Sequence, residues 1–108
     1  MLEQISAPQL KAWLDDAASP QPVLLDVREP GEFAHCHIDG ALPMPMGSVP
    51  TRLQELDPEA PTVVICHHGM RSMQVAMYLQ QQGFAKLYNL GGGVAAWAAQ
   101  VDPSMPTY

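Results

Sequence analysis

The stretch "TVVICHHGMRS", residues 62 to 72, carries the residues best suited to chemistry in this chain. A β-branched run, Thr62 to Ile65, ends on Cys66. His67, His68, Gly69 and Met70 follow, and Arg71 and Ser72 open a segment with helical periodicity. The first N–H groups of a helix have no intrahelical partner, and the helix dipole adds positive potential at that end. If residues 67 to 71 curl around the thiol, their N–H groups form a cradle for an anion. Gly69 permits the tight curl, because glycine takes positive φ freely. Arg71 adds a permanent charge on a planar fork of donors, and His67 and His68 offer partial charge. Each term favours thiolate over thiol, and cysteines so placed titrate at roughly 3.5–7.5 instead of about 8.5. The chemistry implied is nucleophilic attack by a Cys66 thiolate in an anion cradle. The competing reading is an inert cysteine buried at a strand end.

Elements able to hold such a loop are legible on either side of it. Ser6 and Gln9 form a capping-box pattern ahead of a helix with Leu10, Trp13, Leu14 and Ala17 on one face. Val23 to Val27 reads as a buried strand ending in charge at Asp26 and Arg28, which are assigned mainly structural roles. A helical turn is expected near Glu32–Ala34, a short strand around Ala41–Met44, and a helix starting at Ser48 and running through Leu53 and Leu56. Thr62 to Ile65 is a second buried strand, followed by a helix from Ser72 to Gln82 with Gly83 as its C-terminal cap. "KLYNL" is a further strand. Gly91, Gly92 and Gly93 turn the chain into the short helix "VAAWAA", and "DPSMPTY" is expected to extend over the surface. Strands alternating with helices predict a parallel sheet covered on both faces, with binding sites beyond the carboxyl ends of the strands. Cys66 stands at such an end.

Composition narrows the function. The 108 residues fit a single domain, residues 1–108, able to bury one core. A net charge of −6 with no basic run argues against nucleic acid, so any anion must be held by local donors. No apolar run approaches the length of a membrane span, so no membrane partner is expected. "MLEQISAPQLKAW" lacks the basic start and apolar core of a secretory signal. Two cysteines, Cys36 and Cys66, do not make a disulfide framework, and a reducing cytoplasmic setting is expected. Cys36 is read as a buried structural thiol, with a resolving partner for Cys66 as the alternative. "HCHI", residues 35 to 38, offers adjacent ligands unlike the spread pairs of structural zinc sites, so no metal is expected. The triple glycine lacks the lysine and spacing of a phosphate loop and is read as a turn.

The loop "CHHGMRS" resembles the active-site loop of the rhodanese family of sulfurtransferases in its single-domain form. "LLDVREPGEF", "HIDGALPMP" and "LYNLGGGVAAW" resemble further blocks of that family in family order, together spanning residues 23 to 97. Two positions depart from the pattern: Cys36 precedes His37-Ile38 where many relatives have glycine, and Gly91 stands where many have a charged residue. The resemblance implies a rhodanese-like α/β fold, with a central, mostly parallel sheet of about five strands and helices on both faces. It implies transfer of a sulfane sulfur from a small anionic donor such as thiosulfate to a thiol or cyanide acceptor through a Cys66 persulfide. Cys66 is then the catalytic residue, and His67, His68, Gly69, Met70, Arg71 and Ser72 bind substrate, with no metal or organic cofactor. Four residues separate Cys66 from Arg71, whereas the similar phosphatases and arsenate reductases generally carry five; the shorter loop suits a sulfur anion. A persulfide relay serving a partner protein, a phosphatase or arsenate reductase, and a non-catalytic sensor domain are the other functions the resemblance admits.

Overall fold

A computed structural model describes residues 2–108. The sheet is built from five parallel strands in the order β1-β5-β4-β2-β3: β1 (Leu2–Ile5), β2 (Val23–Asp26), β3 (Leu42–Pro43), β4 (Thr62–Ile65) and β5 (Leu87–Leu90). The helices between them are α1 (Ala7–Asp15), α2 (Pro30–His35) and α3 (Met70–Gln81), and α4 (Gly93–Gln100) follows β5. Each residue of the central strand β4 is buried, which is why "TVVI" reads as an unbroken apolar run and not as an alternation.

Successive β4 side chains nevertheless serve different faces. Val63 and Ile65 pack with Leu10 of α1 and with Val94, Trp97 and Ala98 of α4. Val64 packs with Leu25, Leu87 and the inner face of α3, formed by Val75, Ala76 and Leu79. The helices therefore cover both faces, and β4 ends between them with Cys66 as its next residue. Among the described residues, no helix is long and apolar enough to cross a membrane.

The predicted elements hold with five corrections. Strand β1 was not legible: "LEQI" is short, lies at the sheet edge and carries two exposed polar residues. The helix expected from Ser48 resolves into two 3-10 turns, Met46–Ser48 and Leu53–Glu55, because Pro50 interrupts the bonding and i→i+3 bonds such as Glu55 N–H to Arg52 C=O take over. Helix α3 begins at Met70, two residues before Ser72, and α1 stops at Asp15, short of Ala17. The C-terminal segment does not simply lie on the surface: Met105 is buried against α4, and Tyr108 reaches back to α2. The Ser6–Gln9 capping box is present, with both reciprocal bonds.

Candidate active site

Cys66 lies at the floor of the loop between β4 and α3, only 1% exposed. The chain turns there because Gly69, the N-cap of α3, takes φ +103°. Glycine is favoured there by its conformation, and a Cβ at Gly69 would also sit tightly, 3.2 Å from the Leu90 carbonyl. The turn directs the Gly69 N–H onto Cys66 Sγ at 3.0 Å, and Ser72 Oγ of the first α3 turn lies 3.3 Å from the same sulfur. Burial raises the thiol's pKa. The Ser72 hydroxyl and the backbone N–H groups of Ser72, Gly69 and His68 outweigh it, and the net direction is down.

The N–H groups face the sulfur because the loop's carbonyls are held elsewhere. The Cys66 and His67 carbonyls accept bonds from Val94 N–H at 2.9 Å and Ala95 N–H at 3.1 Å. These donors belong to the first turn of α4, which would otherwise lack partners. Helix α4 approaches this closely only because residue 93 is glycine: with φ +57°, a Cβ there would stand 2.3 Å from the Cys66 carbonyl and 2.4 Å from that of His67. The triple glycine is thus a docking surface for the loop as well as a turn.

Arg71 does not point its fork at Cys66. Its Nη1 and Nη2 donate to Glu32 Oε1 and Oε2 of α2, at 2.6 and 2.9 Å. The guanidinium hydrogen bonds hold the Glu32 carboxyl down at about 2, against the opposing effect of partial burial. Arg71 still feels the sulfur through space, since Cys66 is among the groups that favour its charged form.

The surroundings of His67 disfavour its charged form. Burial, then the neighbouring His68, lowers its pKa from 6.5, and its Nδ1 is buried with no hydrogen-bond partner among the described residues. Its ring lies 4.1 Å from that of Tyr108. The Tyr108 phenol donates to Glu32 Oε2 at 2.8 Å and accepts from Arg28 Nη1 at 3.0 Å. His68 and Met70 are exposed, Met70 at 77%. A shallow cavity of about 400 Å³ beside the loop is lined by His68, Gly69, Met70, Met73, Asn89 and Gly92, among others. A larger cavity of about 520 Å³, between α1 and α4, includes no residue of the loop and stands apart from this chemistry.

Around the site, Asp26 and Arg28 form a buried pair. Arg28 donates to Asp26 Oδ1 at 3.0 Å and Oδ2 at 2.7 Å, and its Nη2 donates to the Cys36 carbonyl at 2.6 Å. This ties the end of β2 to the end of α2. The three neighbours in "HCHI" diverge: His35 reaches the Thr107 carbonyl, Cys36 turns inward beneath Arg28, and His37 stacks on Phe33 while contacting its carbonyl at 2.8 Å. Cys36 packs with Val63 and Ile65 on one face of the sheet, whereas Cys66 packs with Val64 on the other.

Four residues at or around the site were not singled out for it from sequence: Glu32, Asn89, Gly93 and Tyr108. Asn89 had a readable signal, a lone amide in the apolar strand "LYNL". Glu32 and Tyr108 had none, since their contacts cross long stretches of chain.

The family model for the rhodanese-like domain matches residues 6–100 of this chain. The chain belongs to the rhodanese-like domain family. Among its relatives, a sulfurtransferase of Allochromatium vinosum is 38% identical over 98 residues, covering 91% of this chain and 90% of that protein. Thiosulfate sulfurtransferase GlpE of Pseudomonas fluorescens is 43% identical over 75 residues, 69% of each protein. The rhodanese-like/PpiC domain-containing protein 12, chloroplastic, of Arabidopsis thaliana is 45% identical over 79% of this chain, which spans only 30% of that longer protein. The crystal structure of a rhodanese-like domain protein from Staphylococcus aureus superposes with a TM-score of 0.84 at 28% identity, covering 98% of both chains. The five-stranded parallel sheet with helices on both faces is thus the rhodanese-like fold expected from the sequence.

Proposed function

We propose that this rhodanese-like chain is a sulfurtransferase that carries sulfane sulfur on Cys66. The supporting observation is the sulfur's placement: it ends a central strand, receives a loop N–H at 3.0 Å, and has the loop carbonyls drawn off by α4. The names of the relatives from Allochromatium vinosum and Pseudomonas fluorescens support the same reading.

In the first half-reaction, the Cys66 thiolate attacks the outer sulfur of thiosulfate. A bond forms between Sγ and that sulfur, the donor's S–S bond breaks, and its electron pair leaves with sulfite. The product is a persulfide with its negative charge on the terminal sulfur, facing the loop N–H groups. In the second, cyanide or a thiolate takes the terminal sulfur as thiocyanate or a new persulfide, and the Cys66 thiolate returns. The four-residue spacing between Cys66 and Arg71 supports a sulfur anion over a phosphate ester.

Intact mass after incubation with thiosulfate tests the proposal. One added sulfur atom is expected on the wild type and on Cys36→Ser, and none on Cys66→Ala. Uptake by Cys66→Ala at the wild-type rate would assign the chemistry to another residue. A protein thiol as acceptor, with the chain as a relay, is favoured by one feature: Met70 and Met77 of α3 are 77% and 51% exposed, and Met70 adjoins the loop. Exposed methionines are adaptable contact surfaces.

A further inference from the structure

Hydrogen counting around Ser72 gives Asn89 a role that the loop motif does not contain. The Asn89 side chain is buried, and its two amide hydrogens have separate acceptors: Gln4 Oε1 at 3.1 Å and the Gly69 carbonyl at 3.1 Å. Those two acceptors fix the orientation of the amide, so the atom facing Ser72 is the carbonyl oxygen Oδ1. Oδ1 has no hydrogen to give. Ser72 Oγ, 2.5 Å away, must donate to it.

A serine hydroxyl has one hydrogen. While Asn89 holds that hydrogen, Ser72 presents only lone pairs to Cys66 Sγ at 3.3 Å. Lone pairs suit an S–H and oppose an S⁻. For Ser72 to stabilise the thiolate, its hydroxyl must turn away from Asn89, leaving a buried carbonyl without its donor, which is unfavourable. The Asn89–Ser72 bond and the Ser72–thiolate bond are therefore alternatives. Once Sγ carries a sulfane sulfur, the negative charge lies on the terminal atom, and the hydroxyl can return to Asn89.

We propose that Asn89 is a positioning residue for Cys66, holding the single Ser72 hydroxyl proton while the sulfur is protonated or persulfidated and yielding it when the thiolate forms. This rests on the reading of Cys66 as the nucleophile, but its test needs no sulfur transfer. The other titratable or charged groups around the sulfur are His67, His68 and Arg71 of the same loop, Glu32 and Tyr108 beyond Arg71, and the Asp26–Arg28 pair at the end of β2. Strand β5 and the first turn of α4 face it without charge; Tyr88 packs on the other sheet face, against Trp13.

The experiment is a thiolate absorbance titration in the Cys36→Ser background, where Cys66 alone contributes. Asn89→Ala frees the hydroxyl, and the Cys66 pKa is expected to fall by about one unit. Ser72→Ala should raise it, and Asn89→Ala added to Ser72→Ala should cause no further shift. A rise or no change in Asn89→Ala, or an equal shift with and without Ser72, would reduce Asn89 to a support for the Gly69 carbonyl and overturn the proposal. If Asn89→Ala does not fold, the Cys36→Ser protein decides by NMR: the Asn89 side-chain amide resonances should shift with the Cys66 midpoint, and constant resonances would overturn the role. Failure of the wild type to take up sulfur from thiosulfate would refute the proposed function while leaving these titrations readable.

Discussion

Glu32 and Arg71, 39 residues apart in sequence, meet in a two-pronged ion pair at 2.6 and 2.9 Å beside the Cys66 loop. The pair is close to neutral as a unit, so removing one partner changes the local charge more than removing both.

The first prediction follows from that asymmetry. Arg71→Ala leaves the Glu32 carboxylate uncompensated and opposes entry of a dianion. Two unit charges about 8 Å apart interact by about 2 kcal/mol at an effective dielectric of about 20, so kcat/KM for thiosulfate should fall about ten- to hundredfold. The double variant Arg71→Ala/Glu32→Gln should recover part of that loss, because the repelling carboxylate is gone. Steady-state kinetics on the three proteins checks it; a double variant no better than Arg71→Ala would mean that Arg71 contacts the donor directly.

The same pair sets a pH window for stability. The Glu32 carboxyl is held at about 2 in the folded chain, against 4.5 as its ordinary value. Between those values the unfolded chain binds more protons than the folded one, so stability rises with pH through that interval. The pair's contribution is present above about 4.5 and disappears as pH falls through about 2. Thermal unfolding of wild type and Glu32→Gln should give a Tm difference that is constant near neutrality and shrinks across this window. A difference that shrank well above 4.5 would place the Glu32 titration elsewhere.

Gly93→Ala should damage the site out of proportion to its size. The added Cβ would overlap the Cys66 and His67 carbonyls, so the loop must move away from α4. Displacing a reacting group by about 1 Å costs on the order of a hundredfold in rate, and a loss of that order in sulfur transfer is expected. Gly31→Ala is the control: it lies in α2 at ordinary φ with open space around it, and should be neutral or stabilising by about 0.4–1 kcal/mol. Near-normal transfer by Gly93→Ala would show that the loop keeps its shape without α4.

The buried Asp26–Arg28 pair should matter to the fold. Asp26→Ala leaves a guanidinium in the interior without its carboxylate, and breaking such a pair costs about 3–5 kcal/mol. Chemical denaturation should show that loss. A cost below about 1 kcal/mol, the level of exposed pairs, would mean that Arg28 finds another partner or reaches water.

The central architecture and the position of the Cys66 loop at a strand end were legible because they are written locally. Val23 to Val27 and Thr62 to Ile65 are apolar runs of strand length, Ser6 and Gln9 are a cap spaced within one helical turn, and Cys66 follows its strand directly. Strand β1 escaped because an edge strand with exposed Glu3 and Gln4 has neither a buried run nor a full alternation. Arg71 was read as a charge on the thiol because its partner, Glu32, is reached only through the fold. His67 was read as a charge donor because sequence does not show that its Nδ1 is shut away from water. The three glycines were read for their freedom to turn; the close approach at Gly93 depends on where α4 lands.

The placement of Cys36 and Cys66 on opposite faces of the sheet bears on oxidative damage. A reactive thiolate attacked by peroxide first becomes a sulfenic acid, which a nearby second thiol rescues by forming a disulfide before the irreversible sulfinic stage. Here both thiols are free and pack into separate apolar clusters on opposite faces of the sheet, so Cys36 is not placed as a resolving partner for Cys66. Protection has to come from outside the chain, from a diffusible thiol that condenses with the sulfenic acid.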